Sequence, residues 1–411
     1  MNAEYLKLAF THLRHRPTRT LLTMIGIFIG IASVVALVSL GQGLQNTIIE
    51  QFQSLGSDKL IIMPGGGEGF QSMVSAFMGG TAVLTDDDLD VVRRSQGIAL
   101  ATAMTTKMAP LEFKDEKKIT FVIGIPVDLE GRRLIEGMTS VKIDHGRMGR
   151  EGDHYKIVVG YLLAKKENGL FSKPVKVGDR IRLMEKDFEV VGTLLTVGNP
   201  SDDKQVYIPM ETAKEIFNTK DYTMLYAQVR SGLEPAVVAE TVKKELRRSR
   251  HVQEGKEDFS IQTIQQMISS SMNILLIVQV IVLTIAAVSL VVGGVGIMNT
   301  MYTAVMERTR EIGIMKAIGA TNEDITEIFL VESGFLGMVG GAVGVTIGAL
   351  VSKGIEAVAA QALGTTLLRV WLPPELILGT LAFSFIIGAA SGVLPARQAA
   401  SLKPVEALRY E

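Results

Sequence analysis

The chain has no cysteine, only five histidines among its 411 residues, a single tryptophan and 6% aromatic residues overall. Without thiols there is no disulfide, no thiolate nucleophile and no Cys-ligated zinc or iron–sulfur cluster. The histidines, at positions 12, 15, 145, 154 and 251, belong to no H-E-x-x-H pattern, and no G-x-S-x-G occurs. Asp144, His145, Asp153 and His154 have a spacing that gives neither helical nor hairpin ligand geometry, so they read as a solvated loop and no metal site is expected. The motif G-x-x-x-x-G-K-[ST] is missing as well. Gly65-Gly66-Gly67 lacks both the lysine and the helix start that a phosphate cradle needs. No catalytic residue is assigned, and the chain is read as a non-enzyme. Charge is balanced, 42 Lys+Arg against 43 Asp+Glu, which leaves no global field to favour nucleic acid.

Apolar sequence, by contrast, is abundant. Hydrophobic residues make up 47% of the chain and charged ones 21%, too apolar for an ordinary soluble enzyme and too charged for an all-membrane bundle. Charges vanish between Arg19 and Glu50, between Asp258 and Glu307, between Glu332 and Lys353, and between Glu375 and Arg397. Each gap holds the roughly 20 apolar residues that a helix needs to cross a bilayer. The fold class expected is therefore an α-helical membrane protein with four transmembrane helices, over residues 21–44, 271–306, 325–352 and 374–396. A large α+β extracytoplasmic domain, residues 45–270, is inserted between the first and second helices, with a second subdomain at about 126–218.

Lys7, Arg14, Arg16 and Arg19 precede the first span, and no Lys or Arg follows until Lys59, which places the N-terminus in the cytoplasm. Four spans return the C-terminus there, where residues 397–411 carry Arg397, Lys403 and Arg409. The chain is thus expected in the cell membrane as a multi-pass protein with both termini inside. Residues 1–20 form an amphipathic interfacial helix, with Leu6, Phe10 and Leu13 on one face and a break before Pro17. Residues 353–373 are an external loop.

The connector between the second and third spans, residues 307–324, is cytoplasmic on this topology. Ile312, Met315 and Ile318/Gly319 recur at three-residue steps while Arg310, Glu311 and Lys316 are polar, the pattern of a short amphipathic helix. Gly319 suits its C-terminus, and Thr321 with Asp324 suits the cap of the next helix. The alternative is an interfacial loop that only joins two spans. Gly26 and Gly30 in the first span, with Gly293, Gly294 and Gly296 in the second, are expected at a dimer seam, although glycine is common in membrane helices generally. The glycines of the third span, Gly334 to Gly348, suit packing within the protomer. Glu332, deep in that span, either has a polar partner or reaches the inner interface. In the external domain, Phe70, Met73, Phe77 and Met78 offer an adaptable apolar contact for lipid, substrate or a partner protein; otherwise their segment is a loop without fixed contacts. Thr85 with Asp88 marks a helix start.

Three stretches together resemble a MacB/FtsX-type ABC transporter permease, and the resemblance covers nearly the whole chain. They are Leu13-Arg14-x-x-Pro17-x-Arg19-x-Leu21-Leu22-Thr23-x-x-Gly26-x-x-Ile29-Gly30, the connector Glu307 to Thr321, and Leu394-Pro395-Ala396-Arg397-x-Ala399-Ala400-x-Leu402-x-Pro404-Val405-Glu406-Ala407-Leu408-Arg409. The length of the external domain favours the MacB-like branch. The resemblance implies a homodimer bound to two copies of a separate ABC ATPase, each docked on a connector whose coupling residues are Glu307, Arg308, Arg310, Glu311, Ile312, Met315 and Lys316. It implies no cofactor in this chain, with ATP and Mg bound by the partner. MacB's fused ATPase has no counterpart here, so that partner is expected to be required. Mechanotransmission would rock the first two spans and shift the external domain, for export of an antibiotic, peptide or lipid-linked substrate, or for lipoprotein extraction, with an extracytoplasmic adaptor or substrate protein as a further partner. Two other readings stand beside it: a signalling permease that regulates an extracellular enzyme, and an ATPase-independent membrane sensor or adhesion module.

Overall fold

The computed structural model describes residues 17–66, 82–139, 141–166, 169–363 and 368–408. Residues 1–16 of the expected N-terminal amphipathic helix, Arg409, and the apolar contact of Phe70, Met73, Phe77 and Met78 lie outside the described residues. The chain divides into two compact units, one of residues 1–44, 275–358 and 368–411, the other of residues 45–274 and 359–367. It passes between them within helix α1 (Pro17–Ser54) and again within a second long helix named below.

The inserted unit starts with β1 (Lys59–Pro64), whose residues are all buried. That two-sided burial explains its unbroken Leu-Ile-Ile-Met run. Helix α2 (Asp86–Arg94) opens on a capping box in which the Asp88 carboxylate accepts from Thr85 N (2.8 Å) and Asp88 N donates back to Thr85 Oγ1 (3.5 Å). Strands β2 (Ile98–Phe113) and β3 (Glu116–Ile125) follow, joined by Lys114 and Asp115, both at positive φ as a twist-matched two-residue hairpin turn requires. Then come α3 (Leu129–Thr139), β4 (Ile143–Gly146), β5 (Lys156–Val159) and the short α4 (Tyr161–Ala164). Strands β6 (Arg180–Leu183) and β7 (Lys186–Leu194) form a second tight hairpin through Met184 and Glu185, again both at positive φ. The unit closes with α5 (Pro200–Asp203), β8 (Val206–Pro209), α6 (Met210–Phe217), β9 (Met224–Val229), α7 (Pro235–Arg250) and β10 (Phe259–Thr263).

Two subdomains share β2. Its first half pairs with β9, extending the antiparallel order β10-β1-β9-β2. Its second half pairs with β3 and, at Leu111 and Glu112, with β6. The circuit β2-β3-β8-β5-β7-β6 returns to β2 and closes a barrel, which leaves fewer open sheet edges. Leu111, Phe113, Val122, Ile157, Ile181, Phe188, Val190 and Val206 belong to one buried core there. This corrects the expected boundary near 126: the barrel takes its first strands from residues 105–125, because a 16-residue strand with no internal break serves both subdomains. On the β10-β1-β9-β2 sheet, one face packs against α2 and α7 through Leu89, Val92, Val238, Val242 and Leu246. A separate core, with Ile61, Met63, Met104, Met224 and Tyr226, takes in Phe52 from the end of α1 and Ile264, Met267 and Ile268 from the start of the next helix.

That helix, α8 (Ile264–Glu307), begins the return to the membrane unit and is followed by α9 (Thr309–Ala317), α10 (Asn322–Val358), a π-helical turn (Ala359–Leu363), α11 (Pro374–Ser401) and α12 (Pro404–Leu408). Among the described residues, four helices are long and apolar enough to cross a membrane: α1, α8, the run from α10 into the π-helical turn, and α11. Glycines set how closely they approach. On α10, Gly340, Gly344 and Gly348 face Ile27, Ile31 and Val35 of α1, while Gly337 and Gly341 face Ser384 of α11. A Cβ built on Gly337 would stand 2.3 Å from Ser384 O and 2.8 Å from Gly388 Cα.

Candidate functional site: the connector between the second and third membrane helices

Helix α8 stops at Glu307, and α9 starts two residues later. Arg308 makes the break, at φ −110° and ψ 17°. The backbone stays paired around it: Arg308 N donates to Ala304 O (3.1 Å) and Ile312 N to Arg308 O (3.0 Å). Thr309 Oγ1 donates to Val305 O (3.1 Å) and Met306 O (2.9 Å), satisfying carbonyls that the end of α8 leaves open. At the other end Gly319, at φ +111°, closes α9. Gly319 N donates to Lys316 O (3.2 Å) and Ala320 N to Met315 O (3.0 Å), the paired bonds of a Schellman stop that a left-handed glycine permits. Thr321 and Asp324 then form the capping box that opens α10 (Thr321 N to Asp324 Oδ2, 2.8 Å; Asp324 N to Thr321 Oγ1, 3.2 Å).

The seven candidate coupling residues fall on two faces. Arg308, Ile312, Met315 and Lys316, at helical spacing, turn inward. Ile312 is fully buried in a core it shares with Val305, Ile325, Phe329, Ala396, Ala399 and Ala400, and Met315 packs against that core. Arg308 Nη1 donates to Glu332 Oε2 at 3.1 Å, and both side chains are largely covered. Glu332, about 15 Å along α10 from its start, thus has its polar partner. Lys316 Nζ donates to Ala400 O (2.5 Å) and Leu402 O (2.8 Å), carbonyls at the end of α11 where the helix dipole favours a cation. Hydrogen bonds to charged groups contribute about 1.5–3 kcal/mol each.

Glu307, Arg310 and Glu311 are exposed on the opposite face. Two apolar residues join them, Ile314 at 47% and Ile318 at 82% exposure. The expected apolar face thus needs correction at Ile318. It caps α9, where the helix unwinds, and so leaves the buried stripe that Ile312 and Met315 define. Ile314 was not singled out from the sequence. The signal was available in the spacing of Glu307, Glu311, Ile314 and Ile318, which places an isoleucine on each turn of a charged face.

The C-terminal signature backs the connector. Ala396, Ala399 and Ala400 are buried, and α12 packs against α9. Small side chains there let α11 approach Ile312 closely.

At four of the glycines expected at a dimer seam, the close approach is made inside the protomer. A Cβ on Gly26 would lie 2.6 Å from Gly293 N, and one on Gly293 would lie 2.5 Å from Ile27 N. One on Gly30 would lie 2.8 Å from Leu290 Cγ, and one on Gly294 2.7 Å from Ser391 Oγ. Gly296 is half-buried, and its carbonyl accepts from Thr300 Oγ1 (3.0 Å).

Known proteins share this arrangement of sequence. Two family descriptions match: the MacB-like periplasmic core domain over residues 20–247 and the FtsX-like permease C-terminal over residues 281–404. An uncharacterized ABC transporter permease of Methanocaldococcus jannaschii is 36% identical over 410 residues, covering 99% of this chain and 98% of that protein. YknZ of Bacillus subtilis, described as an uncharacterized ABC transporter permease, is 31% identical and covers 99% of both. The macrolide export ATP-binding/permease protein MacB of Neisseria gonorrhoeae is 31% identical over 401 residues, which span 96% of this chain and 58% of that protein.

Proposed function

The chain belongs to the MacB/FtsX-type ABC transporter permeases, and we propose that it couples ATP hydrolysis by a separate ATPase to movement of its inserted domain. The observation that carries this reading is the exposed face of α9. Ile314 and Ile318 stand among Glu307, Arg310 and Glu311, on a helix whose other face is buried and pinned. Apolar anchors inside a charged rim suit a protein partner. ATP and Mg are bound by that partner, since the chain has no phosphate-binding motif of its own. The basic residues before the first span support a cytoplasmic side for both termini and α9, with the inserted domain outside. Motion then leaves the membrane through α1 and α8, whose outer turns at Phe52, Ile264 and Met267 pack into the inserted domain's core. The working form is a homodimer, with the bare apolar surface of α8 available to lipid or a second copy.

Export of an antibiotic, peptide or lipid-linked substrate, or extraction of a lipoprotein, is the transport task in this reading, with an extracytoplasmic adaptor or substrate protein as external partner. The Neisseria relative is named for macrolide export, which favours an antibiotic among these cargoes. A signalling permease of the same architecture would regulate an extracellular enzyme instead. The test is recovery of the tagged chain in mild detergent from its native host, with mass spectrometry and an ATPase assay. A stoichiometric ATPase that is lost in Glu311→Lys and Ile314→Asp supports the reading. Its reproducible absence from folded protein overturns the reading in favour of an ATPase-independent sensor.

A further inference from the structure

We propose that α9 is a lever fixed to the third and fourth membrane helices by Arg308 and Lys316 and hinged from the second helix at residue 308. The consequence for coupling rests on the function proposed above, while the clamp itself does not. Three observations meet here. Arg308 donates to Glu332 on α10 at one end of α9, and Lys316 donates to Ala400 O and Leu402 O at the end of α11 at the other. Between them Ile312 is fully buried in a core shared with Val305 of α8, Ile325 and Phe329 of α10, and Ala396, Ala399 and Ala400 of α11. Helices α10 and α11 are themselves locked through Gly337, Gly388 and Ser384, where backbone meets backbone. Apart from Val305, the link between α8 and α9 is local. It is one residue outside both helices, bridged by backbone bonds and the Thr309 hydroxyl.

A force applied to the exposed face of α9 therefore moves α10 and α11 with it as one body, and the angle between α8 and α9 takes up the difference. Arg308 and Lys316 are positioning residues: their charges are spent inside the protomer, where they set which helices follow the connector. A charged pair that is largely covered suits this task, because either partner alone is costly to leave unpaired and the pair holds one register.

Hydrogen exchange read by mass spectrometry on the purified full chain in detergent, without any ATPase, tests the clamp separately from partner binding. Arg308→Gln and Glu332→Gln should each speed exchange of the amides of residues 312–317 roughly tenfold or more, with the inserted domain unchanged as a folding control and residues 296–304 of α8 unchanged. The charge-exchanged double variant Arg308→Glu/Glu332→Arg should restore slow exchange, a rescue that removal of bulk would not give. Lys316→Met examines the other end in case the first pair of variants misfolds, and should speed exchange at the same amides. Unchanged exchange in Lys316→Met and in the folded Arg308 or Glu332 variants overturns the proposal, as does loosening of α8 and α9 together.

Discussion

Helices α8 and α10 flank the same connector and are both apolar enough to cross a membrane, yet they are packed to different extents. In α10, glycines along two faces bring α1 and α11 to backbone contact, and Gly337, Gly340, Gly341, Gly344 and Gly348 are all buried. In α8, Val288, Val291 and Val292 are more than 60% exposed. A membrane gives no hydrophobic drive between helices, so close packing must come from small residues; α10 has them along most of its span, whereas α8 has them chiefly at Ala286, Gly293 and Gly294 and carries mostly valine, isoleucine and leucine elsewhere. The lesson is that α10 is framework, whereas α8 is free along most of its length to meet lipid or another subunit.

The strongest way to break this comparison is Gly337→Leu. The new side chain meets Ser384 O and the Gly388 backbone, which cannot yield, so a loss of about 3 kcal/mol or more, enough to abolish folded protein, is expected in thermal unfolding followed by size-exclusion chromatography. Folding as wild type would show that α10 is not framework.

A second reference lies in the inserted domain, where Arg250 donates to both carboxylate oxygens of the buried Asp88 (2.8 Å each) and pairs with Asp258. Arg250→Ala leaves Asp88 uncompensated and should cost about 3 kcal/mol without altering exchange in α9. Burial alone would raise the Asp88 carboxyl, but the Arg250 guanidinium and the Thr85 N–H outweigh it and hold the group below its ordinary value of 3.8. Its folded-state pKa is depressed, so its contribution is complete at neutral pH. The contribution fades as pH falls past 3.8 and is gone below the folded-state value. Melting curves from pH 6 to pH 2 should therefore converge for wild type and Arg250→Ala. A gap that stays constant at acid pH would show that the lost stability was not electrostatic.

Gly319→Ala is milder, about 1 kcal/mol, because φ +111° is strained for any residue with a Cβ, and its effect should appear as faster exchange at residues 315–320. At the small end, Val291→Ala on α8 should leave monomer stability within about 0.5 kcal/mol. A larger loss would mean that α8 is packed as tightly as α10.

Much of this was legible in the sequence. Four charge-free runs gave the spans, Gly319 and the Thr321–Asp324 pair gave the ends of the connector, and Thr85–Asp88 gave the start of α2. Other features were not, for definite reasons. A glycine stripe announces close approach but not to which helix, so Gly26 and Gly293, which meet each other, could be read as facing a second copy. Arg308 and Lys316 look like surface charges in a polar stretch, and only the fold brings Glu332 and the last carbonyls of α11 within reach. Ile318 matches the apolar period but sits at the cap, where periodicity ends. Strand β2 carries no mark of the point at which it leaves one sheet and enters the barrel, since pairing partners, not its own residues, define that point.

The most direct test of the central claim is a pair of spin-label distances in the complex with the proposed ATPase partner, with labels that a cysteine-free chain makes straightforward to install. Labels at Ile318 and Gln398 report α9 against α11, and labels at Ile318 and Val295 report α9 against α8; all three sites are exposed. The account predicts that ATP binding leaves the first distance unchanged and shifts the second. A shift in the first with the second unchanged would contradict it, because α9 would then be moving with α8 and not with the framework.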